Sequence, residues 1–270
     1  MSSRRGLALG VYSWLFYLYL YLPILVLVIF SFNTQRLNLT WEGFTLHWYD
    51  VLFSDAKAGS ATRNTLMVAI LSTITSTAIG TLAALALHRY EFRLRGFSET
   101  SLYIPIVIPE IVMGIGLLSL YALLKINLGL TTITLSHIAF SIPFVALVVR
   151  ARLHGFDRSV EEAAMDLGAN ELVTFWRVTL PLILPGVLSG AMLAFTLSLD
   201  DFIITFFTAG PGSTTLPLLV YGMVKTHITP EINALSTIWV VTVFVLLFLS
   251  QVLQRRSAAP VPAAEELAAP

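Results

Sequence analysis

Residues 161–181 read EEAAMDLGANELVTFWRVTLP, an acid-led polar stretch set between two strongly apolar ones. Ser159 stands three residues before Glu162, the spacing at which each side chain satisfies an orphan backbone N–H of the other, so a helix is expected to start there. Val160, Ala163, Ala164 and Leu167 then form a narrow stripe of small apolar residues, while Glu161 and Glu162 occupy the first turn, where the helix dipole favours negative charge. Gly168 suits the stop, and Asn170 can cap a second helix running to Pro181. From periodicity alone the first helix either lies on a membrane surface or docks on a partner.

The rest of the chain decides what surrounds this insert. Of 270 residues, 56% are hydrophobic and only 12% charged, with a mean hydropathy of +0.81, which excludes a soluble domain and points to an all-α integral membrane protein. Without cysteine there are no disulfides, thiolate metal sites or cysteine nucleophiles. Crossing the hydrocarbon core takes about 20 apolar residues. Six runs qualify, near 12–32, 64–87, 102–124, 132–150, 183–208 and 234–254, and six spans put both termini on one side. The first run, preceded by Arg4 and Arg5, could be read as an uncleaved signal sequence, but it is too long and too aromatic for the apolar core of one, and no small-residue cleavage site follows it.

Arg4, Arg5, Arg89, Arg93, Arg95, Arg150, Arg152, Arg158, Arg177, Arg255 and Arg256 fall in one set of alternate segments, against Arg36, Lys57, Arg63, Lys125 and Lys225 in the other. That bias places the termini and the 161–181 insert in the cytoplasm. A permease domain is expected over 1–256, followed by an Ala- and Pro-rich, disordered tail over 257–270.

Charges inside the spans suggest the cargo. Asp200 and Asp201 fall within the fifth run and Glu110 within the third, whereas every Lys and Arg lies in a loop or at a span end. Ionisable groups at such depth are costly and mark a pathway or a partner. Carboxylates favour a cation, or a neutral polar solute bound by hydrogen bonds. On a continuous helix Ser198, Asp201, Thr205 and Thr208 share one face, about 27 Å of helix separating Asp201 from the start of the run. Asp201 is therefore the expected pathway residue, and Asp200 a second contact or a packing group. The competing reading is an interhelical hydrogen-bond network with neighbouring Ser and Thr.

Glu110 either joins that pathway or opens a helix after a break at Pro105 and Pro109. His137, beside Ser136, is expected as an interhelical hydrogen-bonding residue rather than a proton relay. Trp41, Trp48 and Tyr49 fit an interfacial aromatic belt; Trp48 with Tyr21 also fits cation–π contact with a transported cation. The segment 209–233 reads as an outer loop around the short apolar piece 216–223, with Glu231 adding charge.

Glu162-Ala163-Ala164, Gly168 and Val178-x-Leu180-Pro181 resemble the EAA signature of permease subunits of bacterial ABC importers, with Val178 where the family usually has Ile. The likeness implies a type I ABC importer permease fold. Its cytoplasmic coupling helix would dock on an ATPase through Glu161, Glu162, Ala163, Ala164, Asp166, Gly168, Leu180 and Pro181. No G-x-x-x-x-G-K-[ST] loop occurs in the sequence, so the chain is not itself expected to be an enzyme; ATP and Mg²⁺ would belong to the partner.

Further runs resemble the spermidine and putrescine branch, and most of all the second permease subunit of such systems. They are Tyr21-Leu22-Pro23 with Ser31-Phe32-Asn33, Trp41-x-Gly43-Phe44 to Trp48-Tyr49, Phe195 to Asp201, and Pro230-Glu231-x-Asn233-Ala234. The resemblance implies a bacterial inner-membrane complex with a related permease, two copies of an ATPase and an extracytoplasmic polyamine-binding protein. A pathway drawn from Asp201, Asp200, Ser198, Thr205, Glu110, Tyr21 and Trp48 agrees with it but also fits an iron carrier, a sugar or another polar solute. An ion-gradient-driven secondary transporter would often show internal repeats, and none is clear here. An intramembrane serine protease would need Ser189 and His137 without the usual Gly-x-Ser-Gly pattern.

Overall fold

The computed structural model describes residues 2–36, 40–226 and 230–257. The helices, in chain order, are α1 Ser2–Phe30, α2 His47–Ser54, α3 Ala56–Arg89, α4 Arg95–Val107, α5 Glu110–Leu123 and α6 Leu130–Leu153, then α7 Ser159–Asp166, α8 Glu171–Thr174, α9 Leu180–Asp200, α10 Ile203–Thr208, α11 Leu216–Thr226 and α12 Pro230–Ser257. A π-helical turn, Phe175–Thr179, joins α8 to α9. Among the described residues the only extended pairing is an isolated bridge between Asn33 and Phe44. All of the expected tail except residue 257 lies outside the described residues.

Four helical stretches are long and apolar enough to cross a membrane, and a fifth arises if α4 and α5 count as one broken span. Two expected spans are not the continuous rods read from the sequence. The third is bent by 110° between α4 and α5. Pro109 cannot donate a helical N–H and pushes Ile108 into an extended conformation (φ −71°, ψ 131°), so a new helix starts at Glu110. The fifth begins earlier than expected, at Glu171, and stops at Asp200. Pro181 does not end the helix there; the π-helical turn before it rearranges the ladder next to the missing N–H, and the chain runs on into α9. The piece 216–223, read as loop, is the helix α11.

The chain divides into two compact units, one drawn from residues 1–55 and 223–270, the other from 56–222. In the first, the polar hairpin after α1 is organised by Asn33. Its Nδ2 donates to Thr40 O at 2.7 Å, its Oδ1 accepts from Glu42 N at 3.0 Å, and its carbonyl accepts from Trp48 Nε1 at 2.7 Å. Ser31 Oγ bonds Tyr49 OH at 2.7 Å, so two of the belt aromatics are pinned by their polar handles.

The second unit is built on α3, α6 and α9, whose shared core holds Ala84, Leu85, Val145, Ala146, Val149, Leu153, Ile183 and Ala194. In lipid the hydrophobic effect gives little preference for one helix over an acyl chain, so close van der Waals contact must do the work. Small residues permit it. A Cβ at Gly80 would stand 2.8 Å from Val145 Cβ, closer than Cβ contacts come, and one at Gly190 would stand 3.2 Å from Val145 Cγ1, a tight fit, so both helices approach α6 closely.

Candidate functional site

Two groups of candidate functional side chains stand out, one on the short helix α7 and one at the broken ends of the spans. The start of α7 differs from the capping box read in the sequence. Ser159 is already helical and makes no side-chain cap; its backbone N–H donates to Asp157 Oδ1 at 2.9 Å instead. That bond holds the Asp157 carboxyl below the usual carboxylate range. A side chain two residues upstream therefore outcompetes the Ser159–Glu162 pair.

The stop of α7 is as expected. Gly168 adopts φ +92°, Gly168 N donates to Met165 O at 2.9 Å, and Ala169 N donates to Ala164 O at 3.1 Å, the paired bonds of a Schellman motif. Asn170 caps α8 through Oδ1, which accepts from Val173 N at 2.8 Å.

Val160, Ala163 and Leu167 of the apolar stripe are exposed, Leu167 at 91%, alongside Glu162 and Asp166. Leu180 packs against the core at the base of α9, and Pro181 is exposed. Glu161, expected at the rim with Glu162, points inward instead: it is 8% exposed and bonded to Arg89 and to Thr179 Oγ1. Arg89 and Thr179 were not singled out by sequence reasoning, because each lies far from residue 161 or on a different element.

At the break of the fifth span the two aspartates differ sharply in exposure. Asp201 ends α9 with an extended backbone (φ −62°, ψ 121°) and is 8% exposed, while Asp200, the last residue of α9, is exposed. The Asp201 carboxylate ties the break to its neighbours. Oδ2 accepts from Thr205 N and Thr205 Oγ1, both at 2.8 Å, and lies 3.1 Å from His137 Nε2; Oδ1 accepts from Ile204 N at 3.3 Å. It thus occupies the N-terminus of α10, where backbone donors and the dipole favour an anion.

His137 is 2% exposed and bridges the network to other helices. Its Nε2 also lies 2.9 Å from Thr205 Oγ1, and its Nδ1 bonds Ser198 Oγ at 2.7 Å; Ser198 Oγ accepts in turn from Ser72 Oγ at 3.1 Å. A carboxylate only accepts, so it favours the tautomer with the proton on Nε2, leaving Nδ1 to accept from Ser198. Thr208 is held separately: its carbonyl accepts from Thr132 Oγ1 at 2.7 Å. Ser136, beside His137, bonds Tyr121 OH at 2.9 Å.

Four elements, α3, α6, α9 and α10, thus converge on one buried chain of polar groups. Ser198, Asp201, Thr205 and Thr208 are all buried, but around a break rather than along a continuous face.

Glu110 opens α5 directly after Pro109, is exposed, and lies within electrostatic reach of Asp200 and Asp201. α5 and α10 pack closely, with Phe207 against Gly114, where a Cβ would stand 2.8 Å from the ring. Glu110 and Asp200 are therefore the exposed carboxylates beside the buried network. Tyr21, exposed, and Trp48, whose indole N–H is used by Asn33, belong to the other compact unit.

Comparison with known proteins adds lineage to this geometry. Residues 76–259 match the family described as "Binding-protein-dependent transport system inner membrane component". The spermidine/putrescine transport system permease protein PotC of Escherichia coli is 43% identical over 225 residues, covering 83% of this chain and 85% of the relative. The putrescine transport system permease protein PotI of the same species is 41% identical over 236 residues, covering 84% of each. Among solved structures, a bacterial ABC transporter importing the acidic polysaccharide alginate superposes with a TM-score of 0.73 at 18% identity, covering 93% of this chain and 97% of that one. A methionine ABC transporter in an inward-facing conformation gives 0.63 at 17% identity, covering 79% and 99%.

Proposed function

Because the chain belongs to the family of binding-protein-dependent transport system inner membrane components, we propose that it is the permease subunit of an ATP-driven importer of spermidine and putrescine. The observation that carries the reading is the identity of 43% and 41% to two polyamine permeases over more than four-fifths of the chain. The alginate and methionine transporters, at 18% and 17% identity, support the fold and not a cargo, so the sugar alternative gains nothing from them.

The cargo reading has a physical basis. Polyamines are flexible polycations at neutral pH, and desolvating them requires anionic partners at hydrogen-bonding distance. Exposed Asp200 and Glu110 supply two carboxylates at the breaks of two spans. Asp201, whose oxygens are taken up by Thr205, Ile204 and His137, acts behind them by fixing the shape of the break. Tyr21 and Trp48 offer aromatic faces for cation–π contact elsewhere on the route. Irregular backbone at membrane depth, tolerated only where it is buried or lines a cavity, is where such a site belongs.

The complex would contain a related permease, an extracytoplasmic polyamine-binding protein and two copies of a cytoplasmic ATPase holding ATP and Mg²⁺. The exposed stripe of α7, with Glu162 and Asp166, would dock on that ATPase, and the basic bias of the same segments supports a cytoplasmic position for α7 and both termini. Cells with and without this gene, given labelled putrescine and spermidine, test the reading: uptake should require the gene and fall in an Asp200→Asn variant that inserts normally. Uptake independent of the gene would refute it.

A further inference from the structure

We infer that Glu161 is an internal clamp that makes α7, α3 and α9 move together. It is thus a positioning residue for ATP-driven transport rather than a contact with the ATPase. The inference rests on the reading of α7 as the docking helix. A single oxygen, Glu161 Oε1, accepts from Arg89 Nη2 and from Thr179 Oγ1, and Arg89 Nη2 also reaches Thr179 Oγ1 at 3.1 Å. The triangle joins three elements. Arg89 is the last residue of α3, Glu161 lies in the first turn of α7, and Thr179 ends the π-helical turn that feeds α9.

Glu161 is the only buried residue of α7, and Thr179 is fully buried. Removing Arg89 would leave the Glu161 carboxylate buried without its charged partner, so the contact favours persisting while the helices shift. A second tie runs parallel to it: Arg158, just before α7, donates from Nη2 to the carbonyl of His88, just before Arg89, at 3.2 Å.

The two neighbouring glutamates therefore divide the labour. Glu162 is exposed with Leu167 on the side free to dock, whereas Glu161 faces the bundle. On either side of α7 the chain turns through glycines at positive φ, Gly155 at +88° and Gly168 at +92°. Glycine, lacking a Cβ, resists backbone rotation less than any other residue. A push on α7 would rotate it about those glycines unless something tied it to the spans. The Arg89–Glu161–Thr179 triangle is that tie, and it grips α3 and α9, both of which pack on α6 through the shared core.

The test uses the full complex of this chain with its permease partner and ATPase. Glu161→Ala and Arg89→Ala should insert normally, retain the ATPase and hydrolyse ATP within about twofold of wild type. Cargo moved per ATP should fall tenfold or more. The exchanged pair, Arg89→Glu with Glu161→Arg, should recover most of that loss. Thr179→Val, which removes one donor with little change of shape, should give an intermediate loss and serves if the alanine variants fold poorly.

A cargo-independent readout accompanies these: spin labels at Tyr90 and Met165 should give a narrow distance distribution that broadens in Glu161→Ala and narrows again in the exchanged pair. Unchanged coupling and an unchanged distribution would overturn the clamp, and so would loss of ATPase retention in Glu161→Ala. Failure of the wild-type complex to carry polyamines would instead strike the cargo reading, and the label distances would still decide the clamp.

Discussion

Replacing Asp201 by Asn separates a residue that shapes the break from one that meets the cargo. In the native site Oδ2 faces three donors, Thr205 N, Thr205 Oγ1 and His137 Nε2, at 2.8, 2.8 and 3.1 Å, while Oδ1 faces Ile204 N at 3.3 Å. An amide has one acceptor end. With its oxygen toward the three donors, its NH₂ confronts the Ile204 N–H; turned round, it confronts all three. Even the better orientation leaves a buried donor unpaired, a cost of about 1–3 kcal/mol, and removes the negative charge from the start of α10.

Asp200→Asn, by contrast, neutralises an exposed carboxylate and leaves that network whole. Losing one charge-assisted contact to an amine should weaken binding about tenfold or more, since such bonds contribute roughly 1.5–3 kcal/mol. The assay is thermal unfolding of the solubilised complex together with uptake kinetics for spermidine. Asp201→Asn should melt several degrees below wild type; Asp200→Asn should melt like wild type with a raised KM. The opposite pattern, with Asp201→Asn as stable as wild type and Asp200→Asn normal in uptake, would refute the division of roles.

Two further outcomes follow from α7. Glu162→Lys reverses an exposed charge, and Gly168→Val forces a β-branched residue into a left-handed conformation at a cost of about 1–2 kcal/mol. Both should insert normally yet lose the ATPase on purification, and normal transport by both would remove the docking role of α7. Asp157 has a depressed carboxyl pKa, so its support of α7 is present above the unfolded value of about 3.9 and fades as pH falls through the lower folded value. Faster amide exchange at Ser159 in Asp157→Ala should therefore be seen at neutral pH, and an unchanged rate would show that the bond does not order the turn.

The sequence made the membrane class, the all-helical fold and the stop at Gly168 legible, because hydropathy and glycine chemistry act locally, but of six expected spans the described residues show four, or five with the broken pair. It also pointed to His137 as a hydrogen-bonding residue. Breaks were harder to read. Pro109 announced one, but Asp201 looks like any residue of a continuous polar face until its carboxylate is seen taking the N–H groups of Ile204 and Thr205. On an unbroken helix Ser198, Asp201, Thr205 and Thr208 would line one face, whereas the break at Asp201 gathers them around a turn. Glu161 and Glu162 are indistinguishable in sequence, since only a partner 72 residues away, Arg89, makes one of them internal. The capping box failed for a local reason: Asp157 competes for the same N–H.

The most direct test of the polyamine-importer reading is transport by the purified complex in proteoliposomes, with ATP on the side that carries the ATPase. Labelled spermidine should move across the membrane toward the ATPase side only when ATP, the binding protein and this chain are all present, and excess unlabelled putrescine should compete. Movement without ATP under an ion gradient, or none with polyamines while another solute is carried, would contradict it.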